Sequence, residues 1–398
     1  MQGNIDYNSF RLSSGGLFHS LLQRLHIQQP GRYSLRRRNV VLIILCWLPL
    51  LLLSMIEGNL FNAAIELPFV YDPTPYIRYL VVLPMLVNAD LIVDKLITSM
   101  LQSLRASGIL GDDNEGLYRQ YVEKLSHRKD SAIADIIIIV ISYGMVLVLL
   151  ANVDQLAVGT GFSNWMTNEG GNGPELTAAG WWLLLVSSPV LQIIMYRWFW
   201  RFYLWCEFLF RVSRLKLVLQ PTHPDLAGGL GILRNSESAF ILIALAFGAL
   251  LSVGLAEDIM HTDTTLKQTV PAIANYIILA IIIMSLPMTF FTRQLLEARR
   301  WGRVVYGDLG YRLSKAFDKK WGDPLDQSSG VELLKTADSS TVCDYADIYD
   351  VVNNMRFAPL SLKGYIRQVI MLAFPFVPLI LTEYSLQDIV KRILTTVV

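Results

Sequence analysis

Carboxylates with helical spacing are the side chains in this sequence best suited to chemistry. Asp90 and Asp94 lie four residues apart, which places both on one face of a helix, and Asn88 precedes them. Asp135 and Glu207 stand beside two other apolar segments. Ionisable side chains inside a membrane usually face the bundle interior or a water-filled cavity. The set predicts a cation or proton site at the inner mouth of a pore, with candidate residues Asn88, Asp90, Asp94, Asp135 and Glu207.

The same carboxylates have a second interpretation, in which they form salt bridges at the depth of the lipid headgroups. Lys95 and Arg201 are the cations available to Asp90 and Asp94. Two like charges on one helix face would raise the pKa of one of them unless a cation intervenes. The sequence leaves both interpretations open.

A second candidate is the polar loop Gln220–Gly231, which reads QPTHPDLAGGLG. Proline disfavours helix in the residue before it, and glycine allows turns that are closed to other residues. The His and Asp of this loop would pair, bind a metal or titrate near neutral pH, and its glycines would form an anion nest. The alternative is a rigid hinge in which Asp225 caps the next helix. As a gate or ligand loop, its functional residues would be His223, Asp225, Gly228, Gly229 and Gly231.

Motifs for catalysis or metal binding are absent from the sequence. Patterns such as GxSxG and HExxH do not occur, and the five histidines and three cysteines show no ligand spacing. We therefore expect no enzymatic activity, no metal and no cofactor. Lys+Arg 34 against Asp+Glu 33 gives a net charge of +1, which selects no nucleic-acid partner.

The elements that must position these residues are apolar helices. Of the 398 residues, 53% are hydrophobic and only 17% charged, against about 25% charged in a soluble domain. A helix needs about 20 apolar residues to cross a bilayer. The sequence predicts an all-α, polytopic transmembrane bundle of six or seven spans. The six clear spans are 40–56, 76–93, 132–151, 178–195, 239–256 and 271–291.

The seventh apolar block, 369–382, is short and contains Pro375 and Pro378. It either crosses the membrane or folds back at the prolines. Its apolar character favours crossing, whereas Lys391 and Arg392 in the tail favour an inside C-terminus.

Lys and Arg are distributed unevenly between the two sets of loops. Segments 1–39, 95–130, 197–238 and 293–367 carry 30 of the 34, whereas 57–77, 153–177 and 257–270 carry only Lys267. Positive residues are retained on the cytoplasmic side. The N-terminus and the large loops are therefore predicted to be cytoplasmic.

The predicted organisation has four parts. An amphipathic, basic leader at 1–39 includes a helix at 16–27, and the bundle covers 40–292. A basic cytoplasmic helical segment follows at 293–366, and the seventh block with an amphipathic tail covers 367–398. A basic helix next to the membrane attracts anionic lipid. The predicted lipid or partner surface is Arg299, Arg300, Arg303, Lys319 and Lys320.

Two stretches resemble an uncharacterised family of bacterial multi-pass inner-membrane proteins. One is the PTHPD…GGLG core within Arg214–Leu233, and the other is Asp344–Pro359, DYADIYDVVNNMRFAP. The resemblance implies a bacterial plasma-membrane location and a link between the loop and the C-terminal segment. It implies no activity, because the family has none assigned.

The buried carboxylates and proline-broken spans favour a channel or transporter for an ion or small solute. The alternative is a non-transporting scaffold or sensor that recruits a partner or anionic lipid through its basic cytoplasmic surface. The expected partners are membrane lipids, and a six-span bundle is compatible with a homo-oligomer that encloses a pore.

Overall fold

The computed structural model describes residues 10–16, 32–151, 163–170, 173–261, 264–321, 337–359 and 362–383. Apart from Gly16, the predicted helix at 16–27 lies outside these ranges, as does the tail after residue 383. Within them the chain is almost entirely helical, with one antiparallel hairpin of strands β1 (Thr167–Gly170) and β2 (Gly173–Leu176). The all-α prediction is confirmed.

The described residues form helices α1 to α14. In chain order they are α1 Arg32–Cys46, α2 Leu48–Ile56, α3 Pro73–Tyr76, α4 Leu83–Ala106, α5 Glu115–Lys129, α6 Ala132–Ala151, α7 Ala178–Trp182, α8 Ser188–Val212, α9 Asn235–His261, α10 Leu266–Thr289, α11 Thr292–Trp321, α12 Asp338–Asn353, α13 Leu362–Ala373 and α14 Ile380–Glu383. π-Helical turns join α3 to α4 (Ile77–Val82) and α7 to α8 (Leu183–Ser187).

Five helical stretches are long and apolar enough to cross a membrane. Aliphatic side chains on α6 remain uncovered by protein, with Ile133 70% exposed and Leu147 67% exposed. Soluble proteins rarely expose an apolar surface of this extent to water. The chain is therefore a multi-pass membrane protein, with candidate spans Leu35–Ile56, Ala132–Ala151, Ala178–Val212, Leu230–His261 and Leu266–Thr289.

The predicted second span, 76–93, is helical but is not one of these five. Its helix continues to Ala106 and carries charged residues at Asp94 and Lys95. α4 packs along α9, α1 and α8, so that one face is buried from Leu86 to Leu104. Asp90 and Asp94 lie within the protein whereas Lys95 is exposed, and the crossing of the membrane by this helix stays a prediction.

The seventh block is also outside the five. α13 is followed by a 3-10 turn, Phe374–Leu379, because its two prolines lack the amide hydrogens that an α-helix needs. Gln368 donates to Glu237 near the start of α9, and Pro375 contacts Gly248 near the middle of α9. The described part of the block therefore advances along α9.

Proline leaves carbonyl groups without their helical donors, and aromatic side chains supply replacements. Pro49 has no amide hydrogen for the carbonyl of Leu45, four residues earlier. Trp182 Nε1 donates to that carbonyl at 3.1 Å. The proline at the start of α8 likewise has no amide hydrogen for the carbonyl of Leu185. The Tyr143 hydroxyl donates to that carbonyl at 3.4 Å. Such partners make broken helices tolerable in lipid.

The predicted outer loops meet at one end of the bundle, which we call the loop end. Trp165 Nε1 donates to Asp72 at 2.8 Å, and the Ala178 amide donates to Glu57 at 2.6 Å. Thr74 hydrogen-bonds to Glu257. The opposite end carries Arg38, Asp90, Asp135, Arg197 and Arg201, and we call it the charged end.

α11 and α12 form an antiparallel helical arm. Lys320 pairs with Asp338 at 2.5 Å at its tip, and Arg299 donates to the Asn353 carbonyl at its base. Gly302 lies at the base against Pro221 and Val352, where a Cβ atom would come within 2.7 Å of the Pro221 Cβ.

Candidate functional site

Asp90 is the centre of a buried ion-pair cluster at the charged end. Its Oδ2 lies 2.5 Å from Arg38 Nη2 of α1, and its Oδ1 lies 3.0 Å from Arg201 Nη1 of α8. Arg38 also donates to the Val87 carbonyl at 2.7 Å. The Asp90–Arg201 pair that the sequence allowed is present. The sequence did not predict Arg38 as a partner of Asp90. Arg36–Arg38 precede an apolar span, where basic residues are common on the cytoplasmic side of membrane proteins.

Asp135 extends the cluster to α6. It faces Arg197 at 3.7 Å, and each of the two side chains is only 9% exposed. Arg197 and Arg201 are four residues apart and share a face of α8, so each needs a carboxylate to offset their mutual repulsion. Asn39 donates to Asn88 at 3.0 Å on the α1–α4 side. The cluster therefore joins α1, α4, α6 and α8.

The N-terminal segment, Phe10–Gly16, enters this cluster. The Ser13 amide and hydroxyl donate to the two oxygens of Asp94 at 2.8 and 2.5 Å. The Ser14 carbonyl accepts from Lys129 at 3.0 Å and the Gly15 carbonyl accepts from Arg197 at 2.7 Å. The Ser13 carbonyl accepts from Arg201.

Glycine is required at two positions of this segment. Gly15 and Gly16 have φ angles of +101° and +83°, which disfavour other residues. A Cβ atom on Gly15 would lie 1.4 Å from an Asp130 oxygen, and one on Gly16 would lie 2.3 Å from an Asp135 oxygen. Glycine at both positions therefore lets the backbone lie closer to these two carboxylates than a residue with a Cβ atom could.

Apolar contacts fix the other end of the segment. Leu12 is fully buried and Phe10 is 7% exposed. The Phe10 carbonyl accepts from the Thr98 hydroxyl of α4 at 2.7 Å. The segment is therefore held by two buried side chains and by hydrogen bonds along its backbone.

The charges around the segment balance. Four cations face four carboxylates, so the cluster has little net charge and offers both donors and acceptors. The carboxylates have cationic or hydrogen-bonding partners, and the cation or proton site stays a prediction. The cluster consists of Arg38, Lys129, Arg197, Arg201, Asp90, Asp94, Asp130 and Asp135.

Glu207, the fifth predicted pore residue, is not part of this cluster. It pairs with Arg211 at 2.8 Å and with Arg128 of α5. It lies six residues beyond Arg201 on α8, which is about 9 Å along the helix axis. The structure therefore groups Asn88, Asp90, Asp94 and Asp135 and separates Glu207.

The predicted gate loop is organised by Asp225. Its carboxylate accepts from the amides of Ala227 at 2.8 Å, Gly229 at 3.2 Å and Gly231 at 2.7 Å, and lies 2.8 Å from His223 Nδ1. Two of the glycine amides therefore bind a carboxylate of the loop itself, and binding of an external anion at these glycines stays a prediction. The Asp225 carboxylate thus binds an amide within the 3-10 helix Leu230–Arg234, whose N-cap position is Gly229. The hinge and gate interpretations of the loop both stay predictions.

These hydrogen bonds change the pKa of the Asp225 carboxyl group. Burial raises its pKa, but the amides of Ala227, Gly231 and Gly229 and the side chain of His223 lower it more strongly. The net effect holds the pKa of Asp225 below its usual range. The carboxylate is therefore ionised at neutral pH and fixes the loop.

The loop contacts the C-terminal segment, as the resemblance implied. The Arg356 amide donates to the Leu226 carbonyl at 2.7 Å. Gly228, with φ +62°, leaves space for Met355, whose Cε would lie 3.1 Å from an added Cβ. A cavity of about 880 Å³ opens beside the loop, lined in part by His223, Asp225, Arg234, Lys363 and Arg367.

The predicted basic surface on α11 divides into two groups. Arg299 and Arg303 donate to the Asn353 carbonyl and Lys320 pairs with Asp338, so these three connect the two helices of the arm. Arg300 and Lys319 point outward and are exposed. Arg303 and Lys320 are exposed as well, but unlike the second group they have partners on α12.

Sequence reasoning missed the N-terminal segment, Ser13 and Lys129. The one available signal was the glycine pair between two serines and an apolar stretch. No group of three or more His, Cys, Asp or Glu side chains suited to a metal ion occurs among the residues that the structure describes.

Comparisons with known proteins leave the site to be interpreted by its geometry. No family model matches the chain, and no curated protein or solved structure matches it significantly.

Proposed function

We propose that this chain is a transporter or channel for a small polar solute in the bacterial inner membrane. Its N-terminus lies in the cytoplasm, and the charged end forms the cytoplasmic mouth. One observation carries the proposal: Asp90, held between Arg38 and Arg201, is the centre of a buried, charge-balanced cluster that joins four helices.

The cost of such a cluster argues for a function beyond stability. Burying charges requires desolvation that their attraction offsets only with good geometry, and apolar replacement is often neutral or stabilising. Ionisable groups within membrane bundles mark solute and ion pathways. A cluster shared by α1, α4, α6 and α8 also couples their positions, because Asp90 joins α4 to both α1 and α8, and Arg197 joins α8 to α6.

The helix irregularities support the same interpretation. The π-helical turns Ile77–Val82 and Leu183–Ser187 directly precede α4 and α8, which carry Asp90 and Arg201. π-Helical turns within helices are frequent at functional sites. Interrupted helices allow one part of a span to move while the other stays packed.

Flux into proteoliposomes tests the proposal. The purified chain should move at least one member of a panel of ions, sugars, amino acids and short peptides faster than protein-free vesicles. Asp90→Asn should reduce that flux more than tenfold, because it releases Arg38 and Arg201. Glu115→Gln, which changes an exposed pair with Arg105, is the matched control. Absence of any flux, or equal flux in the two variants, contradicts the proposal.

A second function, recruitment of anionic lipid as a scaffold, is supported by the outer face of the arm. Arg300 and Lys319 are exposed there, together with Val304 (72% exposed) and Tyr311 (68% exposed). Cys343 on α12 is exposed and provides a site for a spin label. If the arm binds anionic lipid, the label approaches the bilayer in nanodiscs with phosphatidylglycerol but not in neutral ones, and Arg300→Glu with Lys319→Glu abolishes the difference. Equal label depth in both nanodiscs contradicts this function.

A further inference from the structure

We infer that the charged end contains a binding site for short peptides with an apolar first part and small residues after it, and that the N-terminal segment occupies this site as a tethered ligand. The inference rests on the proposed function in one respect, the assignment of such peptides as the transported solute. Binding itself is tested independently of transport.

Recognition of the segment is directed at its backbone. Three consecutive carbonyls accept hydrogen bonds from three different cations, and the amide before them donates to a carboxylate. The pairs are the Ser13 carbonyl with Arg201, the Ser14 carbonyl with Lys129, the Gly15 carbonyl with Arg197, and the Ser13 amide with Asp94.

The segment is bound as a peptide ligand is bound, through side chains of the surrounding protein. Its central residues belong to no strand, and its backbone groups hydrogen-bond to side chains of α4, α5 and α8 and to the Ser14 hydroxyl. Charge-assisted bonds of this type are roughly twice as strong as neutral ones. A peptide of other sequence but the same backbone presents the same carbonyls and amide.

The site selects residues by size. Side chains at the positions of Gly15 and Gly16 would collide with Asp130 and Asp135, so only glycine fits there. The preceding positions accept larger apolar groups, since Leu12 and Phe10 are buried against the bundle. The preferred peptide therefore has an apolar first part followed by serine or glycine.

Tethering explains how the site is occupied without a partner. A segment linked to its own site has an effective concentration on the order of millimolar. A free peptide competes with it poorly. However, a peptide with a free carboxylate near Arg197 and Lys129 gains a charged acceptor in place of a neutral carbonyl. Removal of the segment should therefore expose the site to peptides in solution.

Fluorescence anisotropy of a labelled heptapeptide, FRLSSGG, tests the inference in detergent. The chain without residues 1–16 should bind this probe at least tenfold more tightly than the full chain. A probe with valine in place of both glycines is the matched control and should not bind. Equal binding of the two probes, or no gain on truncation in a chain that keeps its unfolding temperature, overturns the inference.

A second variant covers the case in which the truncated chain does not fold. Gly15→Val in the full chain keeps every residue but displaces the segment from Asp130, and it should also gain probe binding. Failure of both variants, each folded by circular dichroism, overturns the inference.

The two proposals fail in different ways. Flux of other solutes without binding of the probe would contradict the peptide site but not the transport function. Binding of the probe without flux of any solute would contradict the transport function but not the peptide site.

Discussion

Arg201 connects more of the site than any other residue described above. Its guanidinium pairs with Asp90, donates to the Ser13 carbonyl and lies over the Trp198 ring, 4.7 Å from its centroid. The planar guanidinium group can donate to two acceptors and stack on a ring at the same time, whereas the ammonium group of lysine is a compact point charge. Arginine is therefore specifically required at this position.

Arg201→Lys should destabilise the protein although it conserves the charge. The lysine would lose one of the two acceptors and the stacking on Trp198, at a cost of about 1–3 kcal/mol. Thermal unfolding in detergent measures the effect. Arg119→Lys, in the half-exposed pair with Glu123, is the control and should change stability by less than about 0.5 kcal/mol. Equal unfolding temperatures for the two variants would contradict the bridging role.

Asp225 should make the Gln220–Gly231 loop sensitive to acid. Its folded pKa lies below the unfolded value, so the stabilisation is fully present above the unfolded pKa of about 3.9 and is lost as pH falls through the folded pKa. Hydrogen exchange at the Ala227 and Gly231 amides should therefore accelerate below about pH 4 beyond the intrinsic rate. In Asp225→Asn the exchange should be fast at neutral pH already, without an acid step. Protection that persists at low pH would show that the carboxylate does not hold the loop.

At the scale of elements, the broken helices depend on donors from their neighbours. The sequence indicates where prolines interrupt the spans, because the missing amide is a property of the residue itself. It does not indicate which side chain replaces the amide. Trp182 lies 137 residues from Leu45, and only the packing of α7 against α2 brings the two together.

Trp182→Phe should leave the Leu45 carbonyl without this donor. The expected cost is about 0.6–2 kcal/mol, the range for an interhelical hydrogen bond in a membrane. Trp181→Phe is the matched control on the same helix, since Trp181 is 44% exposed. Unfolding in detergent compares the two, and a larger effect from Trp181→Phe would contradict the role of the Trp182 donor.

Gly302 should determine whether the arm packs on the Gln220–Gly231 loop. Gly302→Leu places atoms where Pro221 and Val352 lie, which should separate the base of the arm and expose it to limited proteolysis. Gly307→Ala on the same helix is the control, because its nearest neighbour, the Tyr349 hydroxyl, would be 3.5 Å from the new Cβ. That change should stabilise α11 by up to about 1 kcal/mol. Equal cleavage rates in both variants would contradict the packing.

For the whole molecule, the orientation predicted from Lys and Arg remains to be tested. In intact cells, a membrane-impermeant maleimide should label Asn168→Cys in β1, on the predicted outer side. It should not label the exposed native Cys343 of α12 in a Cys206→Ala background. The reverse pattern would invert the topology, and the charged end would then face the exterior.

The sequence predicts the large features of this fold well and the site in part. Apolar length and composition are local properties, so the helical membrane class and five spans follow from them. The partners of Asp90 do not, because Arg38 lies 52 residues before it and is one of three consecutive arginines with the same local environment. The N-terminal segment is harder still, since a backbone that binds through its carbonyls leaves little trace in side-chain pattern.

The joined loops at the loop end have a practical consequence for structural probes. Hydrogen bonds from Trp165 to Asp72 and from Ala178 to Glu57 connect turns that belong to different helices. A nanobody raised against that surface would therefore recognise a fixed epitope and serve as a fiducial for cryo-electron microscopy. A binder that distinguishes conformers would have to be selected against the opposite surface, where Phe10–Gly16 enters the bundle.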